Sequence, residues 1–166
     1  MKVKTVYLAG PMEGDPEYRD KFAAAEQALY KAAQNEKISL VVFNPVEIMR
    51  SLDDAGVGYE TMLDCYCNLA RKCDAIAMLP GWSKPKPKGA RAELEQYCES
   101  KHCYDCAILE VKMIPNPKAK GEYRTIIKRC GRGNTGLCNS RWLTETGKFP
   151  FGRIFPNPRS TPLKHP

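Results

Sequence analysis

The hydrophobic positions of this chain change period several times between residues 3 and 112, and the changes mark out alternating strands and helices. Residues 3 to 9 (VKTVYLA) form a short apolar run stopped by Gly10-Pro11, the pattern of a buried strand followed by a break. Asp15-Pro16 has the composition of a helix start, an N-cap residue with proline at the first helical position. Tyr18, Phe22, Ala25, Leu29 and Ala32 then recur at helical spacing as far as Ala33, giving one apolar stripe to lay on a sheet. Residues 38 to 43 (ISLVVF) read as a second strand ended by Asn44-Pro45. After a polar stretch, Tyr59, Met62, Leu63, Tyr66, Leu69 and Ala70 mark another amphipathic helix, which leads into a third strand from Ala75 to Leu79. The prolines of residues 82 to 88 (WSKPKPK) exclude a helix there. Gly89 releases the chain into a helix from Ala90 to about Ser100, and a fourth strand follows at Ala107 to Val111.

This alternation predicts an α/β fold with a parallel sheet and right-handed crossovers, a small flavodoxin-like or Rossmann-like three-layer sandwich. Beyond Ile114 the periodicity fails, with breaks at Pro115-Asn-Pro117 and Pro156-Asn-Pro158. Residues 1 to 114 are therefore taken as the α/β domain and residues 115 to 166 as an irregular, basic extension containing proline and glycine, packed on the sheet edge or not. Within it Arg124 to Arg129 could form a strand or a helix turn, and Ser140 to Leu143 another short element.

Charge sharpens that division. The net charge is +7, but residues 1 to 114 carry 15 Lys or Arg against 17 Asp or Glu, while residues 115 to 166 carry 11 against 2. A basic tail can meet the phosphates of a nucleic acid, yet no helix-turn-helix or RNP-type signature accompanies it, so nucleic-acid binding is not the favoured reading. No run of about eighteen apolar residues is present and the N-terminus enters a strand without a signal-peptide core, so the expectation is a cytoplasmic protein with no membrane contact. The eight cysteines then read as thiols. Cys98, Cys103 and Cys106 could supply three zinc ligands with Cys130, Cys138 or His102 as a fourth, but paired CxxC knuckles are missing. Neither a metal nor a cofactor is expected.

Candidate chemistry gathers at two glycine-punctuated segments, Val6-Tyr-Leu-Ala-Gly-Pro-Met-Glu-Gly14 and Cys73-Asp-Ala-Ile-Ala-Met-Leu-Pro-Gly-Trp82, the second continued by Gly89-Ala-Arg-Ala-Glu93. Loops leaving the carboxyl ends of neighbouring parallel strands enclose a ligand crevice. Glu93, one turn into its helix, faces such a crevice, where a carboxylate can attack an electrophilic sugar carbon or stabilise a cation forming on it. The same position also suits an ordinary first-turn glutamate balancing the helix dipole. Gly10 and Gly14 allow backbone amides to approach a ligand, whereas Glu13 and Asp15 make the loop a poor phosphate site. Tyr7 at the strand end, Asn44 at the end of the second strand and Trp82 at the mouth are further candidates, each with an equally simple packing or turn role. Asp74, at the amino end of its strand, reads as structural.

Taken jointly, Tyr7-Leu-Ala-Gly-Pro-Met12 with Gly14, Phe43-Asn-Pro45, Cys73 to Trp82 and Gly89-Ala-Arg-Ala-Glu93 resemble the nucleoside 2-deoxyribosyltransferase superfamily, over roughly residues 3 to 112. The nearest branch is a set of small bacterial and phage proteins with LAGPM and LPGW...GARxE signatures. The resemblance implies cleavage of an N-glycosidic bond or deoxyribosyl transfer on a nucleoside or nucleoside 5′-monophosphate. Glu93 would be the nucleophile, and Tyr7, Gly10, Pro11, Met12, Gly14, Asn44, Gly81, Trp82, Gly89 and Arg91 would be substrate contacts. It also implies a homo-oligomer, since relatives often complete the pocket with a neighbouring subunit. Where relatives carry an aspartate eight residues before the residue matching Asp74, this chain has Tyr66. The Tyr66 hydroxyl substitutes for that acid, Asp64 enters through a helix irregularity, or the crevice binds nucleotides without chemistry, as a sensor module. The Lys84 to Lys88 insertion is a basic lid or a solvated loop. A likeness to phosphoribohydrolases with a PGGxGTxxE loop is weaker, because the second glycine and the GT pair are missing.

Overall fold

The computed structural model describes residues 3–83, 89–101 and 107–130. Five strands form one sheet: β1 (Lys4–Ala9), β2 (Leu40–Phe43), β3 (Ala75–Met78), β4 (Ile108–Pro115) and β5 (Tyr123–Cys130). The helices are α1 (Tyr18–Asn35), α2 (Pro45–Asp54), α3 (Tyr59–Lys72) and α4 (Gly89–Ser100). The strand order is β2-β1-β3-β4-β5. The first four strands pair in parallel and β5 runs antiparallel to β4. This is the flavodoxin-like order with an antiparallel edge.

Alternation along β1 and β3 divides the core in two. Val6, Leu8, Ala75, Ala77 and Leu79 point to the face covered by Phe22, Ala25, Leu29 and Ala33 of α1. Tyr7, Ala9, Ile76 and Met78 point to the opposite face, against Tyr66 and Ala70 of α3 and Ala90, Leu94 and Tyr97 of α4. β1 and β3 are buried on both faces, which explains why they read as unbroken apolar runs. The layers are pinned at the amino edge by polar groups. The Thr5 amide and hydroxyl both donate to Asp74 Oδ2, at 2.9 and 3.0 Å, so Asp74 is structural as its strand position implies. The Tyr97 hydroxyl donates to the Asp74 carbonyl at 2.9 Å and accepts from the Ala107 amide at 3.1 Å, joining α4 to β3 and β4.

Three elements differ from the pattern reading. Asp15-Pro16 forms a turn before α1 rather than its first residues: Asp15 Oδ1 accepts from the Glu17 amide at 3.0 Å, Asp15 also pairs with Lys21, and the helix begins at Tyr18. Asn44-Pro45 starts a helix as well as ending a strand, because Asn44 Oδ1 accepts from the Val46 amide and Pro45 takes the first turn of α2. Within the segment assigned to an irregular extension, Arg124 to Arg129 takes the strand form of the two open to it, as β5, and the hairpin carries β4 on from Val111 to Pro115. Tyr123 ties this hairpin to α1, its hydroxyl donating to Glu17 at 3.0 Å. Ser140 to Leu143, the Lys84 to Lys88 insertion and residues 131 to 166 lie outside the described residues. No helix among the described residues is long and apolar enough to cross a membrane.

Removing the Tyr97 hydroxyl strands a buried amide and loosens a carbonyl between three elements. Tyr97→Phe is expected to lower stability by about 1–3 kcal/mol, seen in urea titration as a lower midpoint with an unchanged slope. An unchanged midpoint would remove this clamp from the account of the fold.

Candidate active site

β1 leads through α1 to β2 on one side, and the chain then crosses back to β3 on the other, so β1 and β3 flank the point where the winding reverses. Ligands of open α/β sheets bind in the crevice outside the strand ends at such a point. Gly10 leaves β1 there with no room to spare: a Cβ on it would lie 2.7 Å from Leu79 Cβ. The close crossing of the two strand ends requires glycine and leaves space above them.

That space is a cavity of about 350 Å³ lined by Gly10, Met12, Glu13, Tyr18, Met49, Tyr59, Met62, Leu63, Tyr66, Gly89, Ala90 and Glu93. Its floor comes from the β1 loop and the first turns of α4, and its walls from the starts of α1 and α3. Glu93 is only 4% exposed. The Tyr7 hydroxyl, fully buried on β1, donates to Glu93 Oε1 at 3.1 Å. Burial pushes the Glu93 carboxyl up from 4.5 to about 8, with the Tyr7 hydrogen bond opposing part of the rise. Tyr7 is in turn driven well above its ordinary value by burial and by the adjacent Glu93. Tyr66 is 8% exposed, and its hydroxyl has no hydrogen-bond partner. Burial, with Glu93 nearby, raises it to about 12. The Cys67 thiol is raised to about 11 by the same two causes.

Of the residues singled out in the sequence, Gly10, Met12, Tyr66, Gly89 and Glu93 meet around this cavity, with Tyr7 behind Glu93. Others do not line it. Asp64 is exposed on a regular α3, and Arg91 is exposed on α4. Gly14, at φ 77°, is exposed in the loop, and Pro11 is half-buried beside Met12. Gly81, at φ 86°, turns the chain before Trp82, which packs partly buried against the α3–α4 side of the core. Asn44 is buried, but it faces a separate cavity between α1 and α2, donating to Glu26 at 2.8 Å. Met49 borders both cavities. Tyr18, Met49, Tyr59, Met62, Leu63 and Ala90 are lining residues that the sequence reading did not assign to the site. Tyr18, Tyr59, Met62 and Leu63 belonged to amphipathic stripes read as core, and their place in the first turn of each helix was the available signal. Glu13 was noted for its charge alone.

A family model described as a domain of unknown function (DUF4406) matches residues 4–102. The chain belongs to the DUF4406 family. The match runs from β1 through α4, so every residue lining the cavity lies inside it, while β4 and β5 lie beyond. No curated protein and no solved structure matches the chain significantly. Among the described residues of this DUF4406 protein, no three His, Cys, Asp or Glu side chains gather as a metal site. Cys98 is buried on α4, and the suggested zinc partners Cys103, Cys106, Cys138 and His102 fall outside the described residues, as does the side chain of Cys130.

The burial of Glu93 has a thermodynamic signature. Below about pH 4.5 both folded and unfolded chains hold its proton; between 4.5 and about 8 the unfolded chain loses it and the folded protein keeps it. Unfolding free energy therefore falls as pH rises through this window and levels off above it. Glu93→Gln lacks this loss, so its stability relative to the native protein should climb between pH 4.5 and 9 by on the order of 4 kcal/mol. Denaturant titrations across that range check it, and parallel pH curves for the two proteins would contradict a buried neutral carboxyl.

Proposed function

We propose that this protein cleaves the N-glycosidic bond of a nucleoside or nucleoside 5′-monophosphate, by hydrolysis or by transfer of the deoxyribosyl group to another base, with Glu93 as nucleophile. The observation that carries the reading is a carboxyl group withdrawn from water, oriented through one oxygen by Tyr7, and bordering an open cavity of nucleoside dimensions at the switch point of the sheet. The resemblance of the Tyr7 to Gly14 and Gly89 to Glu93 segments to nucleoside 2-deoxyribosyltransferases supports the same assignment.

The chemistry follows that of retaining glycosidases. A carboxylate beneath C1′ forms a glycosyl-enzyme intermediate through an oxocarbenium-like transition state, and water or an incoming base resolves it. Tyr7 occupies Oε1 and leaves Oε2 for the sugar carbon. Tyr7 also opposes the desolvation that would keep Glu93 protonated, so it holds the nucleophile both in place and closer to its reactive charge. Met12, Met49 and Met62 offer polarizable surface to a planar base, and the Tyr66 side chain lines the same cavity.

A second reading, a nucleotide-binding or sensor module without chemistry, is favoured by one feature: Tyr66 stands where relatives carry an acid. Base release from a panel of nucleosides and monophosphates, resolved by chromatography, separates the two. Glu93→Gln is expected to lose release by about 10³-fold or more. In the native protein kcat/KM should rise with pH and level off above about 8, as the free Glu93 ionises. Saturable binding that persists in Glu93→Gln with no release from the native protein would select the sensor.

A further inference from the structure

The described lining of the cavity pairs carboxyl groups with aromatic rings. Two carboxyl groups border it, Glu93 at the floor and the exposed Glu13 at the rim, and no lysine, arginine or histidine lines it among the described residues. Arg19 lies over the ring of Tyr18 at 5.7 Å but faces the neighbouring cavity between α1 and α2. The remaining lining is aromatic and sulfur-rich. Tyr59, 61% exposed, stands at the mouth, its hydroxyl 3.9 Å from where a Gly89 Cβ would sit, and Tyr66 forms the inner wall. Aromatic faces beside carboxyl groups, with no cation among the described lining residues, attract a positively charged planar ring.

Leaving-group chemistry points the same way. A neutral purine or pyrimidine departs as an anion unless it is protonated. Glu93 is committed to the sugar carbon, and Tyr66, the other ionisable group on the inner wall, has a hydroxyl raised to about 12 and is a weak proton donor at neutral pH. A ring that already carries a positive charge needs no proton, because it departs neutral.

We infer that, among the nucleosides admitted by the proposed reaction, this cavity takes those whose leaving group is a cationic heteroaromatic ring, an N-alkylpyridinium or an N-alkylated purine, held by Tyr59, Tyr66, Glu13 and Glu93. The inference rests on the glycosidase reading of Glu93. The C1′–N bond breaks with its electron pair moving onto the ring nitrogen, which cancels the ring charge, while a Glu93 carboxylate oxygen bonds to C1′. Water then adds to C1′, the pair of the C1′–O bond returns to Glu93, and the water proton leaves to solvent. A bound cation also favours the ionised form of the buried Glu93, so the substrate assists in charging its own nucleophile.

The test measures base release from nicotinamide riboside and 7-methylguanosine against guanosine, inosine and thymidine, each rate divided by its spontaneous rate at the same pH. Affinity is compared separately for nicotinamide riboside and its uncharged 1,4-dihydro form, which has nearly the same shape. The cationic pair should be favoured at least tenfold after normalisation, and the charged riboside should bind at least tenfold tighter than the dihydro form. Equal or faster normalised release from the neutral nucleosides would overturn the inference while leaving the glycosidase standing. Equal affinity for the charged riboside and its dihydro form would overturn it too, because charge would then play no part in recognition. Release from none of the five and from none of their 5′-monophosphates would end both.

Discussion

A carboxyl group withdrawn from water is stable only if it is neutralised or hydrogen-bonded, and Glu93 meets this condition through the Tyr7 hydroxyl while staying largely neutral at neutral pH. The site depends on that compromise. Further hydrogen bonds to Glu93 would bring its acidity back to the ordinary range but would occupy the oxygen facing the cavity. Without Tyr7 the carboxyl would be harder to ionise and free to turn. The interaction spans 86 residues of sequence, so it exists only when β1 and α4 are correctly placed on one side of the sheet.

The topology supplies that placement. Among the described residues, α1 covers one face, and α3 and α4 cover the other, where the odd-numbered side chain Tyr7 of β1 emerges. Gly10 then lets the β1 loop pass against Leu79, and the starts of α3 and α4 rise on either side of the gap. The amino edge is closed by Thr5, Asp74 and Tyr97, which fixes the strands from below. Rigidity at one end of the sheet and an opening at the other arise from the same parallel arrangement.

The strands buried on both faces and the long amphipathic helices were legible because burial leaves a periodic record. The site was legible where glycine or an isolated carboxylate interrupted that record, at Gly10, Gly89 and Glu93. Other features were written in residues with two meanings. Asn44-Pro45 ends β2 and caps α2 with the same atoms. Glu110 and Lys112 interrupt the apolar pattern of β4, although in a hairpin their alternation marks the more polar face of the strand; Glu110 pairs there with Lys128 of β5 at 2.9 Å. Tyr18, Tyr59, Met62 and Leu63 carry the periodicity of core residues, yet each also lines the cavity, and Tyr18 and Met62 pack against the core as well. Periodicity reports that a side chain avoids water and cannot report whether its neighbour is protein or ligand.

Tyr66 brings these strands of reasoning together. A phenol buried without a hydrogen-bond partner is an expense of about 1–3 kcal/mol to a folded protein, and a phenylalanine of the same shape would avoid it. The Tyr66 side chain lines the cavity while its hydroxyl is withdrawn from solvent within electrostatic reach of Glu93, and α3 carries it on the same stripe that packs Ala70 into the core. A partner for that hydroxyl would have to reach it past the cavity wall. Tyr66 thus brings to the cavity wall an aromatic side chain whose hydroxyl no group among the described residues holds.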